Sequence, residues 1–173
     1  MISANDNNPA AFASDSFCAR CAKRQQTCCQ RTRIVITAGD VERIAAETGR
    51  DGFFEHMRVA ERQIPGAETH DALWREILAA PDGCRVVRRD DAGNCFFLGD
   101  GGCTLSERAR PLLCRLYPFD YTAQTIKGVY GPLCPEPERD NPPMLLALLS
   151  MNREQAESWR RQLYLELAVD LSH

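Results

Sequence analysis

Eight of the nine cysteines in this chain fall at positions suited to holding metal. Cys18, Cys21, Cys28 and Cys29 sit in one short run, and Cys95, Cys103, Cys114 and Cys134 follow after a long spacer. Four thiolates are what one tetrahedral zinc ion or one cubane iron–sulfur cluster takes, so eight suffice for two centres. The two-residue spacer of Cys18 and Cys21 turns the chain back so that two sulfurs can grip one metal. Cys28-Cys29 is a different kind of pair. Adjacent side chains of an extended strand point to opposite faces, so these sulfurs would feed two sites or two irons of one cluster. Zinc ribbons pair two CxxC knuckles, whereas this chain has one, and the later cysteines are separated by seven, ten and nineteen residues. The set therefore favours a [4Fe-4S] cluster over Zn2+, although both accept four sulfurs.

Around these cysteines the residues are of a kind that supports ligands. Gly99-Asp100-Gly101-Gly102 is a tight turn that brings backbone amides close to the sulfur of Cys103. Arg115 follows Cys114 and is the best single candidate to donate to a sulfur from behind, as a cofactor-binding residue. Cys134 precedes Pro135, a recurrent feature of iron–sulfur ligands. Between Ser16 and Gly39 the chain carries Arg20, Lys23, Arg24, Arg31 and Arg33 and no acid, and Arg85, Arg88, Arg89, Arg108 and Arg110 come later. In an acidic chain these cations read as compensation for anionic thiolate sites rather than as a nucleic-acid surface. Cys84, the ninth cysteine, reads as a small buried hydrophobe. His56 lacks ligand spacing to any other histidine.

The ordered set Cys18-x2-Cys21, Cys28-Cys29, Cys95-x2-Leu98, Cys103-x-Leu105 and Arg110-Pro111-x2-Cys114-Arg115-x-Tyr117-Pro118-Phe119 resembles the CxxCxxxxCC cysteine-cluster family, also called YkgJ-like. The resemblance covers roughly residues 17–135, with six residues rather than four between Cys21 and Cys28. It implies a zinc- or iron-chelating domain with a bound metal or iron–sulfur centre, and it implies no settled reaction.

The rest of the chain must position those sulfurs. With 173 residues and 44% apolar content, one domain with a real core is expected. Three segments are read: a polar, disordered tail over 1–16, a cysteine-cluster domain over 17–141, and C-terminal helices over 142–173 packed on that domain. The net charge of −3 argues against nucleic acid as a partner, and the longest apolar run is far too short to span a membrane. The start has neither a basic nor an apolar signal region, so a cytoplasmic protein with reduced cysteines is expected.

The fold class read is α+β, mostly helical: a small metal-stapled cysteine-rich core with short β-hairpins and C-terminal helices. Ile34-Val35-Ile36 reads as a strand. Thr37 and Asp40 form a capping box for a helix ending at Thr48, with Gly49 as its cap. Helices are expected over 52–63, 70–80, 144–150 and 153–171, and a helix broken at Pro111 over 106–116. In the 70–80 helix, Leu73, Ile77 and Leu78 form the apolar face, with Trp74 at its edge. Hairpins are expected to join 84–88 to 95–98 and to lie within 121–130. Leu163, Tyr164 and Leu167 read as core packing of the last helix.

The function read is a metal-binding protein with one or two cysteine-ligated centres in a structural or redox role. The alternatives are an enzyme with an open position on the centre, and a metal carrier or redox sensor using Cys28-Cys29. A protein partner is compatible with each.

Overall fold

The computed structural model describes Cys21 and residues 28–60, 71–130 and 140–172. Along these residues run α1 (Cys28–Arg31), α2 (Ala38–Thr48), β1 (Phe54–Met57), α3 (Ala72–Ala79), β2 (Cys84–Val87), β3 (Leu98–Gly99), β4 (Gly102–Cys103), α4 (Leu112–Leu116), β5 (Phe119–Tyr121), β6 (Ile126–Val129), α5 (Pro142–Leu148) and α6 (Arg153–Asp170). The strands form three antiparallel pairs, β1–β2, β3–β4 and β5–β6. The class is α+β and mostly helical, with short hairpins. No helix among the described residues is long and apolar enough to cross a membrane. The tail over 1–16, Cys18 and Cys134, and the last three residues of the helix expected over 52–63, lie outside the described residues.

Alternation along β2 divides the interior in two. One edge of β2 pairs with β1, and Phe54 stands opposite Val87. The other edge takes the extended segment 34–36: Val35 bridges Val86, Ile36 N–H donates to Arg85 O at 3.0 Å, and Val87 N–H donates to Ile34 O at 2.9 Å. Successive side chains of a strand face opposite ways. Val35, Cys84 and Val86 accordingly enter one core, and Ile34, Ile36 and Val87 enter the other. The helix α4 straddles the divide, with Leu112, Leu113 and Leu116 in the first core and Cys114 against the second.

The first core is built by helices. Trp74 of α3, Tyr121 of β5, and Leu163 and Leu167 of α6 are all at most 1% exposed. Helix α6 packs on α3, α4 and β6, and its Arg160 donates to Ala123 O across the hairpin. The second core is smaller and aromatic. Phe53 and Phe97 meet with ring centroids 5.5 Å apart, beside Ile44 and Leu105.

Local signals explain most elements. Thr37 and Asp40 form the reciprocal capping box of α2, which ends at Gly49 with φ +63°, a left-handed conformation that glycine adopts without a Cβ clash. Asn152 and Gln155 do the same for α6. Several expectations fail on tertiary grounds. The segment expected as a helix from residue 52 contains β1 instead, because pairing with β2 satisfies its backbone and leaves Phe53 fully buried. The expected ladder from 84–88 to 95–98 reduces to the bridge of Arg89 with Cys95, since β2 is taken on both edges and Leu98 pairs with Cys103. In α3, Trp74 and Ile77 are the buried pair and Leu73 and Leu78 are only partly buried, because α6 covers the Trp74 side. Helix 106–116 shortens to α4, with a turn over 106–110 before Pro111.

Candidate metal centre

Four of the eight candidate cysteines converge. Cys29 comes from α1, Cys95 from the loop before β3, Cys103 from β4 and Cys114 from α4. All four pack at the second core. Each of the six pairings among their sulfurs is close enough for the charges to repel. Cys95, Cys103 and Cys114 are not in disulfides. Among the described residues, no three Cys, His, Asp or Glu side chains are gathered tightly enough to grip a single ion.

Two polar clamps bring these elements together, and each controls two sulfurs. The first centres on Arg89. Its guanidinium donates to Gln30 O and Gly93 O at 2.5 Å each and to Thr32 O. Gln30 Nε2 donates to Asn94 Oδ1 at 2.8 Å, and Cys95 N–H donates to Cys29 O at 3.1 Å. These bonds fasten α1 to the 90–95 loop, so Cys29 and Cys95 are held side by side.

The second clamp is α2. Asp40 and Glu47 lie seven residues apart on the same face of this helix. The Asp40 carboxylate accepts from Leu112 N–H at 3.1 Å, capping the helix that carries Cys114. Pro111, the N-cap of α4, has no side-chain acceptor of its own, so Asp40 satisfies this donor from a distant part of the chain. Glu47 accepts from Ser106 N–H at 2.9 Å and from the Ser106 hydroxyl, fixing the loop just after Cys103. The β3–β4 turn is pinned from the other side by Thr104 N–H to Phe97 O at 2.8 Å.

The electrostatics of the pocket define what it will accept. Burial pushes the Cys95 thiol up to about 12, with the charges of Cys29 and Cys103 adding and Arg89 opposing. Burial also pushes Cys103 up, against the charge and hydrogen bond of Arg110. Burial pushes Cys114 well up, and Cys29, Cys95, Cys103 and Asp40 all push the same way. Each of these shifts favours the thiol over the thiolate. A metal cation or cluster bound here would stabilise the thiolates together and release their protons on binding. The donor set fits such a group: soft sulfurs on cysteines that are half-buried or, at Cys95, buried, in a site whose sulfurs interact directly with Arg89 and Arg110.

The remaining sequence candidates lie elsewhere. Cys18 and Cys134 fall outside the described residues. Cys21 is buried, and Cys28 adjoins Cys29 in α1. The backbone of that pair is helical rather than extended, so the strand geometry expected of it does not apply. Arg115 donates to Arg110 O at 2.8 Å and to Arg108 O at 3.0 Å, bracing the turn before α4. Arg110 hydrogen-bonds the Cys103 sulfur. Cys84 packs in the first core, as a small hydrophobe does. The sequence reading missed Asp40, Glu47 and Gln30 as supports of the site. Asp40 was visible only as a helix cap, and nothing local marks Glu47 or Gln30.

No curated protein and no solved structure matches the chain. The profile of one family, CxxCxxCC, described as a "Putative zinc- or iron-chelating domain", matches residues 17–135, which span all eight candidate cysteines. With well over half of its length inside that match, the chain belongs to the CxxCxxCC family.

Proposed function

We propose that Cys29, Cys95, Cys103 and Cys114 hold one metal centre, an iron–sulfur cluster in preference to zinc, in a structural or redox role. Cys18, Cys21, Cys28 and Cys134 are then the donors left for a second centre. The observation that carries this reading is the convergence of four thiols from four separate parts of the chain, of which Cys95, Cys103 and Cys114 are pushed toward the protonated form by burial and by the neighbouring sulfurs. One feature favours a cluster over one ion: the four sulfurs arrive singly rather than as paired knuckles. The cytoplasm, where thiols stay reduced, is the compartment that fits such a site.

The test is anaerobic purification with iron, acid-labile sulfide and zinc measured per chain, together with an absorption spectrum. The expected result is about four irons and four sulfides per centre. Serine at Cys29, Cys95, Cys103 or Cys114 is expected to lower that content. Colourless zinc would overturn the cluster and keep the centre; no metal at all, or full metal in all four serine variants, would overturn the centre.

A further inference from the structure

The support for Cys114 reaches through a buried relay to the C-terminal helix. The Asp40 side chain is fully buried, and every partner it has is a donor. One oxygen takes Thr37 N–H at 3.2 Å. The other takes Leu112 N–H at 3.1 Å and Arg43 Nη2 at 2.6 Å. Arg43 in turn grips Glu166 of α6 with both nitrogens, at 2.6 and 2.9 Å. Glu166 is fixed further by Gln162 at 2.8 Å and by the Thr37 hydroxyl. It also rests against the backbone of Gly39, where a Cβ would stand 2.6 Å from the carboxyl carbon. The relay reaches the site through the first N–H of α4, two residues before Cys114, and the Asp40 charge also acts on the Cys114 thiol.

An ordinary N-cap would stabilise a helix from its own preceding residue. Here the cap comes from 72 residues upstream, and its orientation depends on an ion pair with a helix near the end of the chain. A carboxylate with that many donors is locked in place, and it locks the start of α4 with it. Groups that orient ligands from behind are worth much in metal retention.

We propose that Asp40 is the positioning residue for Cys114 and that Glu166, acting through Arg43, couples the C-terminal helix to the metal centre. The proposal rests on Cys114 being a ligand. It is tested on the full chain, purified anaerobically with its metal, by following metal loss to excess EDTA and the absorption spectrum of the centre. Asp40→Ala is expected to speed release about tenfold or more and to alter the spectrum. Asp40→Asn, which keeps an oxygen for Leu112 N–H but loses the charge facing Arg43, should fall between it and the wild type. Glu166→Gln should speed release by a smaller factor, and it carries the test if Asp40→Ala does not fold. Ile77→Ala serves as the control, because it weakens the first core from α3, an element outside the relay, and is expected to leave both release and spectrum unchanged. Equal acceleration by Ile77→Ala, or wild-type release and spectrum in both Asp40→Ala and Glu166→Gln, overturns the proposal. If Cys114→Ser retains the wild-type metal content and spectrum, the ligand role of Cys114 fails first and the positioning role fails with it.

Discussion

The two cores of this protein are held together by different means. The first is closed by area: Trp74, Leu112, Leu116, Tyr121, Leu163 and Leu167 are almost wholly removed from water, and helices cover them on several sides. The second has fewer large apolar side chains, and its boundary is drawn by guanidinium and carboxylate clamps around four thiols. The contrast follows from what each can bury. Helices bring long apolar stripes together, whereas loops and two-residue strands bring few side chains and many backbone groups that need partners. A region of the second kind gains its rigidity from directed bonds, and a metal centre supplies the strongest of these.

The largest expected effects test whether the cores are separable. Trp74→Ala should cost about 3–5 kcal/mol of unfolding free energy by denaturant titration, whether or not metal is present. If its cost vanished in the metal-free chain, the two cores would be one cooperative unit. Removing the metal should cost about 4 kcal/mol where the metal had been a thousandfold above its dissociation constant. Hydrogen exchange should then quicken over residues 28–33 and 95–114, and far less in α6, which feels the centre only through Glu166 and Arg43. Equal quickening in α6 would mean that the two cores open together.

Smaller effects probe α2, the element between the two cores. Thr37→Ala removes the capping box and should cost about 1 kcal/mol, read from the same titration. Glu166→Gln should change how stability depends on acid. Burial works against the charge of Glu166, but bonds from Arg43, Thr37 and Gln162 hold its carboxyl below the ordinary value of 4.5. A depressed carboxyl contributes stability that is complete above its unfolded value and is lost as pH falls through the folded one. Burial raises Asp40, which has the opposite sign and offsets part of that loss. Stability below about pH 4.5 should therefore fall less steeply in Glu166→Gln than in the wild type. An unchanged slope would mean that the ion pair with Arg43 adds nothing.

Much of the fold was legible. The boundaries of α2 and α6 follow from capping residues within three positions of each other, and such signals act locally. The segment 34–36 alternates between the two cores as β-branched residues in an extended chain should. Misreadings cluster where distant pairing overrode local preference. Residues 54–57 fall inside the helix read over 52–63, yet β2 offered them an edge. Residues 84–88 look like half of a hairpin with 95–98, yet both edges of β2 were already taken. Trp74 was placed at the rim of its helix because the position of α6 cannot be read from the α3 sequence.

By itself the sequence determined the chemistry: eight cysteines in two groups, the softness of their sulfurs, and the family to which their order belongs. These are properties of residue type and spacing, and they survive any arrangement of the chain. Tertiary structure decided which sulfurs meet. Cys29 and Cys95 are 66 positions apart, and Cys29 and Cys114 are 85 apart; no local rule links them. Their meeting depends on Arg89 finding the carbonyls of α1 and on Asp40 capping a helix far along the chain, bonds that exist only once the backbone has already folded.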